Sequence, residues 1–227
     1  MALGSLFISV MSLPYFDFQT LPPFVLEKLP LRFESLWLGS LRLHVAAAAL
    51  SFPLCLALMT RALQRRTRLH RWLGRIAGGL VLFVLVPSGS LLAMDAKGGG
   101  VVTAGFLVSG AIIAWAMVSG VRSARRRDAI AHARAMRHVV GQMSVAVISR
   151  AMIVGLDVAG MDPEVAYVVA LWVPVLASAA AVEWLSRRPK PRHRVTSVSE
   201  RINHEVSSFA LVLRVRAFVR PFVRLGR

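Results

Sequence analysis

Two ionisable side chains, His44 and Arg150, stand inside long apolar runs. On membrane-insertion scales such a group costs about 2.5–3.5 kcal/mol, so each is a candidate functional position. His44 falls about one turn inside the outer end of its run, and Arg150 lies in the outer half of another. A guanidinium snorkels along its stem, which brings the two to similar depth if their helices are neighbours. Asp157, seven residues after Arg150 and so nearly on the same helix face, offers a counter-charge. Between them in the chain, Pro87-Ser88-Gly89-Ser90 interrupts a Leu/Val/Phe run. Proline and glycine there kink a helix and free carbonyls that other helices, hydroxyls or water must satisfy. One expectation is an outer-half polar pocket lined by His44, Ser88, Ser90, Arg150 and Asp157. The same residues also suit a hydrogen-bond network that only locks the helices together.

A second group falls at the opposite membrane edge: His70, His132, His138, Gln142 and Glu183, with Arg71, Arg75 and Arg137 around them. His70 and His138 head two apolar runs and could ligate a b-type haem iron axially, with His44 and His132 as further candidate ligands. Glu183 could answer Arg75 or Arg137 as an ion pair. No glycine-rich phosphate loop, His-Glu-x-x-His, Gly-x-Ser-x-Gly or Cys-x-x-Cys occurs, so no catalytic residue and no metal site is assigned. Cys55, the single cysteine, reads as a small buried hydrophobe.

The elements that must position these groups are membrane spans. Fifty-six per cent of the 227 residues are hydrophobic and the mean hydropathy is +0.61, above the 45–50% apolar content usual in soluble domains. The predicted fold is an all-α polytopic transmembrane bundle. Five runs are long enough to cross a ~30 Å hydrocarbon core: Ser40–Thr60, Trp72–Met94, Val101–Val121, Val139–Val158 and Val165–Ser186. Residues 1–16 are apolar but short and would make a short sixth helix or an interfacial segment. The chain thus divides into residues 1–16, an outer connection over 17–39, the bundle over 40–186 and a tail over 187–227.

Arginine places the ends of these spans. The loop Arg61–Arg75 carries six arginines and no acid, and Arg122–His138 carries six against Asp128 alone. With the tail, 23 basic residues fall on one side, against Lys28, Arg32, Arg42 and Lys97 on the other. Arginine-rich segments resist translocation, so the expectation is a bacterial cytoplasmic (inner) membrane protein with a cytoplasmic C-terminus. The formal charge of +17 serves this topology, and no nucleic-acid partner is expected, because the charges lie in blocks between spans. In the tail, Ser197-Val198-Ser199-Glu200 has capping-box spacing, and Val198, Ile202, Val206, Phe209 and Leu213 recur at helical intervals. A basic amphipathic helix on anionic lipid headgroups follows from that pattern.

The chain resembles a large family of predicted bacterial membrane proteins known as a domain of unknown function. The resemblance rests on Leu43-His44, on Leu69-His70-Arg71-Trp72-Leu73-Gly74-Arg75 and on Asp128, His132, Met136 and Arg137 at their spacing. Phe24-Val-Leu-Glu-Lys28 and Arg150 add to it. It covers roughly residues 20 to 160 and implies a multi-helix inner-membrane protein without implying a reaction. Members usually have an arginine and an aromatic between the histidine and methionine of the second motif, whereas here Ala133 and Ala135 flank Arg134.

Three function classes fit this reading. The leading one is a non-enzymatic accessory or scaffold protein of a membrane complex. The others are a haem-binding or redox-linked protein and a small-solute or proton carrier using the His44–Arg150 pocket.

Overall fold

The computed structural model describes residues 33–187 together with Gly4, Val10, Phe16 and Val25. The expectations for residues 1–16 as a membrane segment and for the tail beyond Arg187 lie outside the described residues. The described chain is helical and has five helices long and apolar enough to cross a membrane. They are α1 (Glu34–Leu58), α3 (Thr67–Met94), α4 (Gly99–Arg125), α5 (Ala129–Val158) and α6 (Pro163–Arg187), with the short α2 (Arg61–Arg65) between the first two.

The helices start earlier than hydropathy places them. Helix α5 begins at Ala129, ten residues before the apolar run, because the block before Val139 is rich in alanine and arginine, both good helix formers. Asp128 caps it, accepting hydrogen bonds from the backbone N–H groups of Ile130 and Ala131. At the other end of the molecule, Asp162 accepts from Glu164 and Val165, and Pro163 takes the first position of α6. Lys97-Gly98-Gly99 turns the chain from α3 into α4 with positive φ at both glycines, a conformation that glycine adopts without steric cost.

Helix α1 packs on α3 and α5, α3 packs on α4, and α4 runs along α5, closing a four-helix ring. Helix α6 lies against α4 and α5. Leu171 and Trp172 approach α4 at Gly105, where an added Cβ would stand 2.7 Å from Leu171, and Trp172 Nε1 donates to the Val101 carbonyl at 3.1 Å. The main core joins Phe52 and Cys55 of α1, Val81 and Leu85 of α3, Met117 of α4 and Val139 and Met143 of α5. Outside the ring, Phe83 is 81% exposed and Val158 84% exposed. Large apolar side chains presented outward all round the bundle need hydrocarbon as their solvent.

Within α3, residues Val81–Leu85 form a π-helical turn between two α-helical stretches. The proline explains it. Pro87 has no N–H to donate to Phe83 and its ring crowds that carbonyl, so the preceding turn widens instead of breaking.

Candidate functional site

The widened turn has local and distant partners. Ser88 Oγ donates to the Val84 carbonyl at 2.6 Å and lies 3.2 Å from that of Leu85. Ser90 Oγ donates to Val86 at 2.9 Å. From α1, His44 Nδ1 lies 3.1 Å from the Leu85 carbonyl and 3.3 Å from Ser88 Oγ. A carbonyl only accepts, so Nδ1 carries the proton, and Nε2 makes no hydrogen bond to the described protein. Gly89 makes room for the ring: a Cβ there would stand 2.9 Å from His44 Cε1. Gly89→Ala is therefore expected to cost about 1–3 kcal/mol by overpacking, and His44→Ala in that background to recover most of it. Thermal melts of the single and double variants check this.

His44 borders a partly open cavity of about 500 Å³ enclosed by α1, α3, α4, α5 and the first turns of α6. That volume lies within the range of about 300–1,000 Å³ common for small-molecule sites. Ser90, Arg150, Ser149, Ser109 and Gln142 also line it, with Lys97 and Tyr167 at the end away from the arginine-rich connections. Its walls include Leu41, Val45, Ala48, Phe52, Leu85, Ile113 and Met143. The structure thus brings His44, Ser90 and Arg150 to one cavity. Ser88 sits behind His44 and does not line it.

Asp157 is not brought in. It is exposed near the end of α5 and forms no ion pair with Arg150. Seven residues on a helix are about 10 Å of rise, and helical side chains lean toward the N-terminus. Arg150 accordingly reaches back, its Nη1 donating to the Ala146 carbonyl at 2.8 Å, away from Asp157. A guanidinium inside an apolar helix thus faces a cavity with a carbonyl, and no acid among the described residues, as its protein partner.

The second group resolves into two parts. Gln142 is not at the membrane edge: thirteen residues into α5, it lies about 20 Å along the helix and is 2% exposed. Its Oε1 accepts from Ser109 Oγ at 2.9 Å, and its Nε2 donates to the Val175 carbonyl at 3.0 Å and to Ser178 Oγ at 2.9 Å. One side chain therefore ties α4, α5 and α6 together. Nearer the arginine-rich end, Glu183 pairs with Arg134 and with His138 Nε2, the latter at 2.8 Å. Arg75 and Arg137, the partners expected from sequence, do not pair with it. Arg134 and His138 are four residues apart on the face of α5 that meets α6, and that i, i+4 spacing was the available signal. Arg71 Nε instead donates to Thr67 of its own helix.

The four histidines are committed to different surroundings. His138 is buried, bonded to Glu183, with its ring edge-on to Trp115 at a centroid distance of 6.4 Å. His132 Nδ1 donates to the Gly120 carbonyl at 2.8 Å, and His44 occupies the cavity. His70 is half-buried, with Nδ1 lacking a hydrogen-bond partner. Among the described residues no three His, Cys, Asp or Glu side chains converge as a metal site. Cys55 is buried and unpaired, as its apolar surroundings predict.

No curated protein and no solved structure matches the chain. Residues 41–185, which run from Leu41 in the cavity wall on α1 to beyond the Glu183 pair on α6, match a family described as predicted membrane protein, DUF2306. The chain belongs to this family of membrane proteins of unknown function.

Proposed function

We propose that this membrane protein binds an anionic small molecule in the cavity that Arg150 and His44 share. The observation that carries the proposal is Arg150 itself, a charged side chain within an apolar helix, lining a cavity and paired with no acid among the described residues. Arg150 is exposed on an apolar helix, so its cost is that of carrying a charge in a membrane span, which an anionic ligand would offset. His44 gives its Nδ1 proton to the Leu85 carbonyl, so Nε2 is an acceptor that meets an anionic ligand only through a ligand O–H, as on a monoprotonated phosphate. In the topology favoured by the arginine distribution, the Arg150 end of the cavity faces outside a bacterial inner membrane. The protein would then be a receptor or carrier for a solute arriving from that side.

Melting temperature in lipid nanodiscs tests the proposal. Hexanoate and hexyl phosphate are expected to raise it where hexanol, of the same chain length, does not. A ligand at a hundred times its Kd stabilises by about 2.7 kcal/mol, equivalent to about 5–10 °C in a chain of this size. Equal shifts for the acid and the alcohol, or none for either, would overturn the reading.

A further inference from the structure

We infer that the occupant is a single-chain anionic amphiphile, its carboxylate or phosphate head at Arg150 and its apolar tail running inward along α1 and α5. The inference rests on the reading that Arg150 receives an anion, and adds the ligand class.

Polarity in the cavity is one-sided. Ser90 Oγ donates to the Val86 carbonyl, Ser149 Oγ to Val145 and Ser109 Oγ to Gln142 Oε1. Their hydroxyl protons are spent inside the protein, and the lone pairs that remain repel an anion. The Gln142 amide N–H groups are likewise spent, on Val175 and Ser178. What is left to donate to a charged head is Arg150 and the Tyr167 hydroxyl, at the same end as Lys97. From His44 to Phe52 on α1, and from Arg150 to Met143 on α5, the cavity continues inward for about 10–12 Å. That stretch is walled mainly by Ala48, Phe52, Ile113 and Met143, with Gln142 and Ser109 beside them and bonded to each other. A small hydrated anion would leave this inner part without contacts, since an apolar space offers water too few partners. A hydrocarbon tail fills it and gains burial along its length.

A medium-chain carboxylate bearing a diazirine at its far end, photolysed with the protein in phosphatidylcholine nanodiscs, tests this by position. Label is expected at Phe52, Ile113 and Met143. Unlabelled carboxylate or alkyl phosphate of the same chain should compete, and the matching alcohol should not. Whichever acid competes better separates a fatty acid from a phosphorylated lipid as the source. Arg150→Gln should lower the cavity label about tenfold, the loss of one charged hydrogen bond. Ala48→Phe, which fills the tail region and leaves the head position alone, should block the label while hexanoate still raises the melting temperature. Label confined to outward residues such as Phe83 and Leu50, or equal competition by the alcohol, would overturn the inference. If short anions bind through Arg150 and no chain reaches the inner wall, the amphiphile fails and the anion site stands. If neither binds, both fail.

Discussion

Arg150→Ala is expected to weaken anion binding about 10- to 100-fold while leaving the ligand-free bundle as stable as before, or more so. The two effects have separate causes. A hydrogen bond to a charged group contributes about 1.5–3 kcal/mol, and each 1.4 kcal/mol is a factor of about ten in affinity. Without ligand, the guanidinium's protein partner is the Ala146 carbonyl, four residues back on its own helix. Removing a cation from an apolar span relieves a cost of about 2.5–3.5 kcal/mol on insertion scales. Opposite movements of stability and affinity are the signature of a residue kept for function. Arg150→Lys keeps the charge and loses the planar fork, so it should fall between the wild type and alanine. Binding isotherms and denaturation of the empty protein check both halves. A large stability loss in the alanine variant would reassign Arg150 to a structural role.

Gln142→Leu should do the reverse, destabilising the bundle by about 2 kcal/mol. Leucine is close in size, so the change isolates the hydrogen bonds. It deletes the bonds to Ser109, Val175 and Ser178 and orphans the Ser109 hydroxyl at a buried junction. Interhelical polar contacts in membranes average about 0.6 kcal/mol, with a maximum of about 1.7, and an unsatisfied buried group adds about 1–3 kcal/mol. Leucine's better transfer into an apolar site offsets part of this sum. Adding Ser109→Ala to Gln142→Leu should cost less than Ser109→Ala alone, because the orphan is removed. Reversible unfolding in mixed micelles measures the cycle. Strict additivity would mean that the Ser109–Gln142 bond contributes nothing.

Much of this arrangement was legible from residue types alone. Five apolar runs became five helices, and the interruption expected at Pro87-Ser88-Gly89-Ser90 lies one turn upstream, at Val81–Leu85, where His44 from α1 meets the Leu85 carbonyl. His44 and Arg150 share a cavity, as their similar depths implied. The failures trace to depth. Hydropathy ends a span where charge begins, but Arg134 and Arg137 stay helical inside a 30-residue α5. That shift moves Gln142 from the edge to the interior. It also puts Arg134, rather than Arg75 or Arg137, beside Glu183. Asp157 does not pair for a different reason: it shares a helix face with Arg150, but helical side chains tilt toward the N-terminus and carry the guanidinium away from it. The π turn was signalled only as a kink, because Pro87 specifies a lost hydrogen bond and not how the helix absorbs it.

Central to this account is that Arg150 holds an anion in the cavity. The most direct measurement is equilibrium binding of radiolabelled hexyl phosphate to the wild type and to Arg150→Ala in identical nanodiscs. Saturable binding with one site per chain, weakened at least about tenfold in the variant, is the predicted result. Equal binding by the two proteins would contradict it and leave the cavity a structural feature of the bundle.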